Sequence, residues 1–250
     1  MKTRIFALLT ALLCLLMLAS CAQDTPQSLY TDAAEQLKAA GGYEINAKMD
    51  ISVSVAGQTQ DVSMDMNMKA NGDNSAVNTK MELMGQNMDV DVVYVDGVAY
   101  MNQGDSKVKT TVSLEELQEE AGMISSFELP GMSEEELNEI ELTKDGDNSS
   151  FTVTLTGDEV KDFMNHMGSL TESMAGADAT LSLGDMTITF TFDKDSALTN
   201  MKATVTATAT VQGEEMTMDM SMDFDFVNIG TAPTISAPTD ADSYTDVSGQ

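Results

Sequence analysis

The sequence of 250 residues contains no tryptophan, only four prolines and two cysteines, and a single histidine, His166. Arg4 is its only arginine. The chain therefore has almost none of the cysteine and histidine residues that cysteine–histidine and serine–histidine–aspartate catalysis require. Pairs of carboxylates are uninformative among 41 acidic residues, because some would lie close together by chance. We predict a protein that is not an enzyme and that needs no cofactor.

Basic residues are also scarce, with 12 lysines and arginines against 41 acidic residues and a net charge of -29. A field of this sign repels nucleic acid, so we expect no nucleic-acid partner. The chain also lacks the arginines that would clamp a phosphate or a carboxylate with two hydrogen bonds. The acidic residues alternate with apolar ones, which favours the outer face of a sheet over a disordered tail.

Residues 1–20 have the pattern of an export signal, because Lys2 and Arg4 precede an apolar run that ends in small residues. The run is shorter than the ~20 residues of a membrane-spanning helix. It ends at "LASC", which resembles the lipobox of bacterial lipoproteins. By that resemblance, Cys21 becomes the first mature residue and carries lipid such as palmitate. We therefore expect a lipid-anchored protein on the extracytoplasmic face of the cell membrane. The alternative is an ordinary secretion signal with an incidental cysteine.

Loss of residues 1–20 would leave 10 lysines, 41 acidic residues and a net charge of -31. Cys14 would leave with the signal, and Cys21 would be acylated. The mature chain would then have no thiol for a disulfide, a zinc site or a nucleophile.

Apolar and polar residues alternate with a period of two along most of the body, as in "EEMTMDMSMDFDF" at 214–226. This period is typical of strands with one buried face. Asp96-Gly97 between two such runs is a strong hairpin signal. The alternation predicts strands over 43–55, 61–70, 77–83, 88–95, 98–102, 186–192, 198–211 and 216–226, and a further hairpin over 140–156 that turns at 145–148. Two methionine-rich hairpins, at 49–68 and 203–222, resemble each other, and duplication and chance both remain open explanations.

Capping boxes predict four helices. Asp32 with Glu35 begins a short helix that ends at Gly41-Gly42. Ser113 with Glu116 and Ser133 with Glu136 begin two short acidic helices within 110–142. Thr156 with Glu159 begins the main amphipathic helix, which ends at Gly176. Its apolar stripe consists of Val160, Phe163, Met164, Met167, Leu170 and Met174. These elements together predict an α+β fold with an antiparallel sheet.

The order of elements and three stretches resemble bacterial lipoproteins of the LolA or LppX half-barrel type. The stretches are "YVDGVAYMN", "FTFDKDSALTNMKATVT" and "VNIGTAPTISAPTDADSY". The resemblance covers residues 32–245. It implies a strongly curved antiparallel sheet wrapped around the central amphipathic helix, with an apolar cavity. In characterised relatives, such a cavity holds acyl chains or the lipid of a lipoprotein.

We therefore divide the chain into a signal at 1–20, a lipidated tether at 21–31, a half-barrel domain at 32–230 and an extended arm at 231–250. We expect a monomer that binds or carries a hydrophobic ligand. Because methionine is unbranched and adaptable, a face lined with it suits flexible apolar ligands. Candidate cavity-lining residues are Met64, Met66, Met68, Phe163, Met167, Met216, Met218, Met220, Met222 and Phe224.

Three alternatives remain open from the sequence. The methionine rows could be the filled core of a structural or protein-binding module. Thioethers also bind Cu(I), but neighbours on one strand face lie ~6.6 Å apart, so a shared ion needs partners on adjacent strands. The strings at 71–75 and 145–149 could attract Ca²⁺, although turn chemistry explains both. We assign no metal ligand from the sequence.

Overall fold

The computed structural model describes residues 24–248 except 84, 105, 115, 117–128, 158, 162–179 and 212–213. Within these residues, the α-helices with described bounds are α1 (Pro26–Ala39) and α2 (Glu134–Asn138), and a short 3-10 helix spans Ala241–Ser243. The strands are β1 Gly42–Val55, β2 Gln58–Asn71, β3 Asn74–Leu83, β4 Gln86–Val95, β5 Val98–Gln103, β6 Ser106–Thr111, β7 Thr143–Asp145, β8 Asn148–Leu155, β9 Thr180–Phe192, β10 Leu198–Val211, β11 Glu214–Ile229 and β12 Thr245–Asp246.

The twelve strands form one open, curved sheet with the order β12-β6-β5-β4-β3-β2-β1-β11-β10-β9-β8-β7. Strands β1 to β6 form one antiparallel meander and β7 to β11 form another. The meanders join where β1 pairs with β11 over thirteen residue pairs, from Tyr43 with Ile229 to Val55 with Met216. Only β12 adds in parallel, beside β6. The predicted antiparallel sheet is therefore confirmed.

Helix α1 begins at Pro26, earlier than the Asp32–Glu35 pattern predicts. Thr25 and Ser28 form a reciprocal capping box, and Pro26 fits the first helical turn because it lacks the N–H that would have no partner there. The helix therefore starts inside the segment that the sequence predicts to be a tether. Its buried side is formed by Pro26, Leu29, Tyr30, Ala33 and Leu37.

The other predicted helix starts are present in the described residues. Ser133 and Glu136 form the capping box of α2. The Glu116 carboxylate accepts hydrogen bonds from the backbone and hydroxyl of Ser113, and Glu159 does the same for Thr156. The central helix predicted after Thr156 lies mostly outside the described residues, including its stripe residues Phe163 and Met167. Val160, at its start, is fully buried.

The core lies on the concave face of the sheet, beneath α1 and residues 129–142. The Tyr30 ring packs edge-on against Phe190 with centroids 5.6 Å apart, and its hydroxyl donates to the carbonyl of Pro130. Burial of the Tyr30 phenol raises its pKa. Leu137 of α2 joins the same cluster and is 2% exposed. We call the buried inward side chains of β8–β11 and β1 the buried sector: Phe151, Val153, Leu155, Met186, Ile188, Phe190, Phe192, Met201, Ala203, Val205, Ala207, Ala209, Met218, Met220, Met222, Phe224, Phe226, Ile45, Ala47, Met49 and Ile51.

The segment after β11 forms an extended arm that crosses the end of the sheet. Asn71 donates to the carbonyl of Pro233 at 2.9 Å. Farther along, Lys107 of β6 forms an ion pair with Asp240, and the Tyr244 ring packs edge-on against Tyr100 with centroids 5.5 Å apart. The arm ends as β12, which pairs with the edge strand β6. Val108 and Lys109, the part of this edge strand that β12 covers, are therefore not free to pair with another chain.

Candidate functional site

The concave face has a second part in which the apolar side chains remain half-buried or exposed. It lies on β2 to β5, beside the buried sector. Strand alternation and register place these side chains on the same face as Met49 and Met222. We call this part the open sector, and it consists of Val62, Met64, Met66, Val77, Met81, Met88, Val90, Val92 and Met101.

A row of five methionines runs across the strands from the buried sector into the open sector. Met222, Met49, Met64, Met81 and Met88 lie directly opposite one another on β11, β1, β2, β3 and β4. The first two are 2% and 5% exposed, the next two are half-buried, and Met88 is 41% exposed. Side chains opposed in this way have Cβ atoms ~4.5–5.5 Å apart. The thioethers therefore form a continuous apolar path from the core to the surface.

The inward positions of β1 to β6 include no charged residue. Acidic and lysine residues on these strands occupy the alternate positions and face the convex side, where Lys48 pairs with Asp50 at 3.0 Å and Lys69 with Glu44 at 3.2 Å. The polar side chains at inward positions of the open sector and its margin are all neutral: Gln58, Gln60, Ser75, Thr79, Gln86, Gln103, Ser106 and Thr110. The concave face is therefore suited to uncharged ligands.

The convex face carries a shallow groove of about 350 Å³ over β1, β9, β10 and β11. Its polar lining includes Asp50, Asp185 and Asp219 together with serine and threonine hydroxyls. Ser63 donates a hydrogen bond to the Asp50 carboxylate at 2.7 Å. This hydrogen bond and the neighbouring Lys48 lower the pKa of Asp50. Among the described residues, no three acidic, histidine or cysteine side chains are placed to hold a metal ion. We assign this groove to the solvated outer surface.

The ten predicted cavity-lining residues fall into three groups. Met68, Met218, Met220, Met222 and Phe224 are buried, with 1–7% exposure, and belong to the core. Met64, Met66 and Met216 are half-buried at or beside the open sector. Phe163 and Met167 lie outside the described residues, as does the predicted lipidation residue Cys21.

The open sector also includes residues outside the ten predicted lining residues, notably Met81, Met88, Val90 and Met101. Their alternation is visible in the sequence at 77–101. The sequence does not reveal the register of β3 and β4. That register places Met81 opposite Met64 and Met88 opposite Met81, and so brings these residues into the same row.

The two candidate calcium strings form tight hairpin turns. Gly72 and Gly146 have φ of 58° and 61°, a conformation that glycine adopts without strain. These turns connect β2 to β3 and β7 to β8. In the part of the chain that the structure describes, no helix has the length and apolarity needed to cross a membrane.

The comparisons with known proteins identify a family and a set of structural neighbours. A model of a family of unknown function matches residues 25–245. No curated protein matches the chain. LprF from Mycobacterium bovis is 11% identical, with 85% of this chain and 96% of that chain covered and a TM-score of 0.37. A DUF1329 family protein from Desulfovibrio piger is 12% identical, with 82% and 94% covered and a TM-score of 0.25.

A third neighbour is a putative outer membrane lipoprotein-sorting protein domain from Vibrio parahaemolyticus. It is 11% identical, with 82% of this chain and 94% of that chain covered and a TM-score of 0.17. The three neighbours have TM-scores of 0.17–0.37. At such TM-scores, they support no statement about the function of this chain.

Proposed function

The chain belongs to that family, DUF6612, whose function is unknown, and we propose that it is a non-catalytic, membrane-anchored lipoprotein that binds an acyl-bearing lipid on the open sector. The observation that carries this proposal is a contiguous, uncharged apolar surface on the concave face that remains half-buried or exposed beside a filled core. Apolar patches of this kind on soluble domains mark sites of ligand or partner binding.

The residue types of the open sector favour a flexible apolar chain as its occupant. Five of the nine residues are methionines, whose unbranched, polarisable side chains adapt to ligands of varied shape. The accessible end of the methionine row, Met88, Met81 and Met64, also gives an acyl chain a continuous apolar surface along which to lie.

The position of α1 favours binding close to the membrane. We propose that Cys21 carries the anchor, and Thr25 already caps the first helix. Four extended residues span ~14 Å at most. The domain would therefore be held within one short tether of the bilayer, where lipid could reach the sheet without diffusing freely through water. This proposal places the protein on the extracytoplasmic face of the cell membrane.

A matched pair of variants on β3 tests the proposed binding surface. Lys80 and Met81 are adjacent, with Lys80 exposed on the convex face and Met81 in the open sector. We expect Met81→Gln to weaken binding of a diacylglycerol with a fluorescent acyl chain about tenfold, because burying an amide without a partner costs ~1–3 kcal/mol. Lys80→Gln should leave binding unchanged. Equal binding by both variants and the parent would contradict the proposal.

The runner-up is a structural or protein-binding module with a filled core. The dense packing of the buried sector favours this alternative for β8 to β11, where Phe190, Phe192 and Met186 are fully buried. Under this alternative, the fluorescent lipid would not bind the parent protein at all.

The methionine row also favours a second candidate function, binding of Cu(I). Soft thioether sulfurs select this ion, and the register supplies the cross-strand neighbours that one strand alone cannot provide. Titration of Cu(I) against a chromogenic chelator tests this candidate. Met64→Leu, Met81→Leu and Met88→Leu together should abolish copper retention, whereas Met101→Leu, outside the row, should not. Retention by the triple variant would exclude the row as the site.

A further inference from the structure

We infer that the lipid bound on the open sector carries an uncharged head group, such as a hydroxyl-bearing or sugar-bearing glycerol. This inference rests on the proposed function and specifies its ligand class. Its basis is the distribution of charge around the concave face of β1 to β6 rather than the apolar lining itself.

Every lysine on β1 to β6 occupies an outward position: Lys48, Lys69, Lys80, Lys107 and Lys109. Three of them already have acidic partners, since Lys48 pairs with Asp50, Lys69 with Glu44 and Lys107 with Asp240. No lysine on these described strands is therefore directed toward a ligand on the concave face. A phosphate or carboxylate desolvated there would lack a countercharge, which is costly.

The polar groups at the margin of the open sector are amides. The turn at Ala56-Gly57 and the ends of β3, β4 and β5 lie at one end of the sheet, as the antiparallel pairing requires. Gln58, Gln60, Gln86 and Gln103 occupy inward positions at this end and are exposed. The Gln103 amide donates to the sulfur of Met88 at 3.4 Å.

An amide side chain offers both donors and acceptors but no charge. Four of them at the end of an apolar face match hydroxyl, ester or sugar oxygens and do not neutralise an anion. The long-range field acts in the same direction, because a chain of net charge -29 repels anionic lipids before contact. Local and global electrostatics therefore select the same ligand class.

Two lipids with the same acyl chain test the inference. Mono-oleoylglycerol and oleoyl lysophosphatidic acid differ only by the phosphate. Each competes with the fluorescent diacylglycerol for the exported, processed protein in 0.15 M salt, below the critical micelle concentration of each. We expect the neutral lipid to bind about tenfold more tightly, equivalent to 1.4 kcal/mol. Equal or tighter binding of the phosphate lipid overturns the inference alone, whereas binding of neither lipid overturns the proposed function.

A matched pair of variants separates local charge from net charge. Gln86 and Asn87 are adjacent on β4 and both exposed, with Gln86 inward and Asn87 outward. Gln86→Lys supplies a cation at the end of the open sector, and we expect it to improve binding of the phosphate lipid about fivefold relative to the neutral one. Asn87→Lys changes the net charge equally and should leave the preference unchanged. An equal shift by both variants overturns the local assignment.

Discussion

At the scale of single residues, methionine has two roles in this sheet, which depend on the strand that carries it. Met222 on β11 is 2% exposed within the buried sector, whereas Met81 on β3 is half-buried in the open sector. Both lie in the same cross-strand row. The first contributes to the stability of the fold, and we propose that the second contributes to binding.

This difference in burial predicts that shortening the two side chains to alanine lowers the free energy of unfolding by unequal amounts. We expect Met222→Ala to lower the free energy of unfolding by ~2–5 kcal/mol, because it leaves a cavity in a packed core. Met81→Ala should cost about 1 kcal/mol or less, since its side chain is already partly solvated. Urea denaturation followed by circular dichroism measures both. Equal losses would show that the open sector is packed as tightly as the core.

Two adjacent glycines have different surroundings. A Cβ on Gly42 would lie 2.7 Å from both the Cα of Ala232 and the carbonyl oxygen of Ala70, whereas one on Gly41 would meet nothing within 4 Å. We expect Gly42→Ala to destabilise the fold by ~1–3 kcal/mol through backbone overpacking. Gly41→Ala should be close to neutral. Thermal unfolding of the two variants checks this prediction, and similar melting temperatures would contradict the close approach of the arm to β1.

At the scale of elements, local sequence patterns were sufficient for most strands and hairpins. The predicted strand at 198–211 matches β10, and Asp96-Gly97 forms the expected turn with φ of 52° and 80°. A period of two is a local signal that requires no knowledge of the neighbouring strands. The predicted start of α1 is wrong because Asp32 and Glu35 also have the spacing of a capping box. The helix begins at Pro26, with Thr25 as its N-cap.

Register and strand order could not be predicted, because they depend on contacts between distant segments. Tyr43 pairs with Ile229, and nothing near either residue identifies the other. The open sector was therefore only partly predicted: Met64 and Met66 were selected, whereas Met81 and Met88 were not. Polar pairs on the convex face help to fix the register once it forms, as in the 2.7 Å hydrogen bond from Asn67 to Asn46.

The C-terminal arm contacts β6 partly through the Lys107–Asp240 ion pair, whose pH response has a definite sign. Lys107 lowers the pKa of Asp240 below its ordinary value, so this carboxyl binds protons more weakly in the folded chain. The contribution of this carboxylate to the free energy of unfolding is therefore fully present above pH ~3.9, the pKa of an aspartate in the unfolded chain. It is lost as the pH falls through the lower pKa of Asp240 in the folded chain. At neutral pH, the arm should remain attached.

Asp240→Asn removes the charge at neutral pH and should loosen the arm. We expect faster hydrogen exchange at the Val247 amide, which donates to the Lys109 carbonyl at 2.9 Å. Asp242→Asn, an equal charge change at an exposed position of the same turn, should have a smaller effect. If Asp240→Asn left exchange at Val247 unchanged, the ion pair would not hold the arm.

At the scale of the whole molecule, the described sheet combines a part whose inward side chains are buried with a part whose inward apolar side chains are half-buried or exposed. The two meanders meet at β1 and β11, so the core and the open sector belong to one continuous sheet. The charges of β1 to β6 lie on the convex side, and the concave side is neutral. This separation is the physical basis of the proposed lipid site.

The proposed anchor predicts where the protein is found in the cell. Replacement of Cys21 by alanine should move the chain from the membrane fraction to the soluble or secreted fraction, because ~0.8 kcal/mol per buried CH₂ is lost with the acyl chains. Detergent phase partitioning followed by mass spectrometry of the N-terminal peptide measures this. Membrane retention of Cys21→Ala would require a different means of attachment.

The most direct test of the lipid-binding account compares the mass of the exported, processed chain under native and denaturing conditions. A lipid attached to Cys21 persists in both spectra, whereas a lipid held on the open sector is lost on denaturation. We predict that the native mass exceeds the denatured mass by one lipid, and that Met81→Gln reduces this excess while Lys80→Gln does not. Identical native and denatured masses, with no uptake of added mono-oleoylglycerol, would contradict the account.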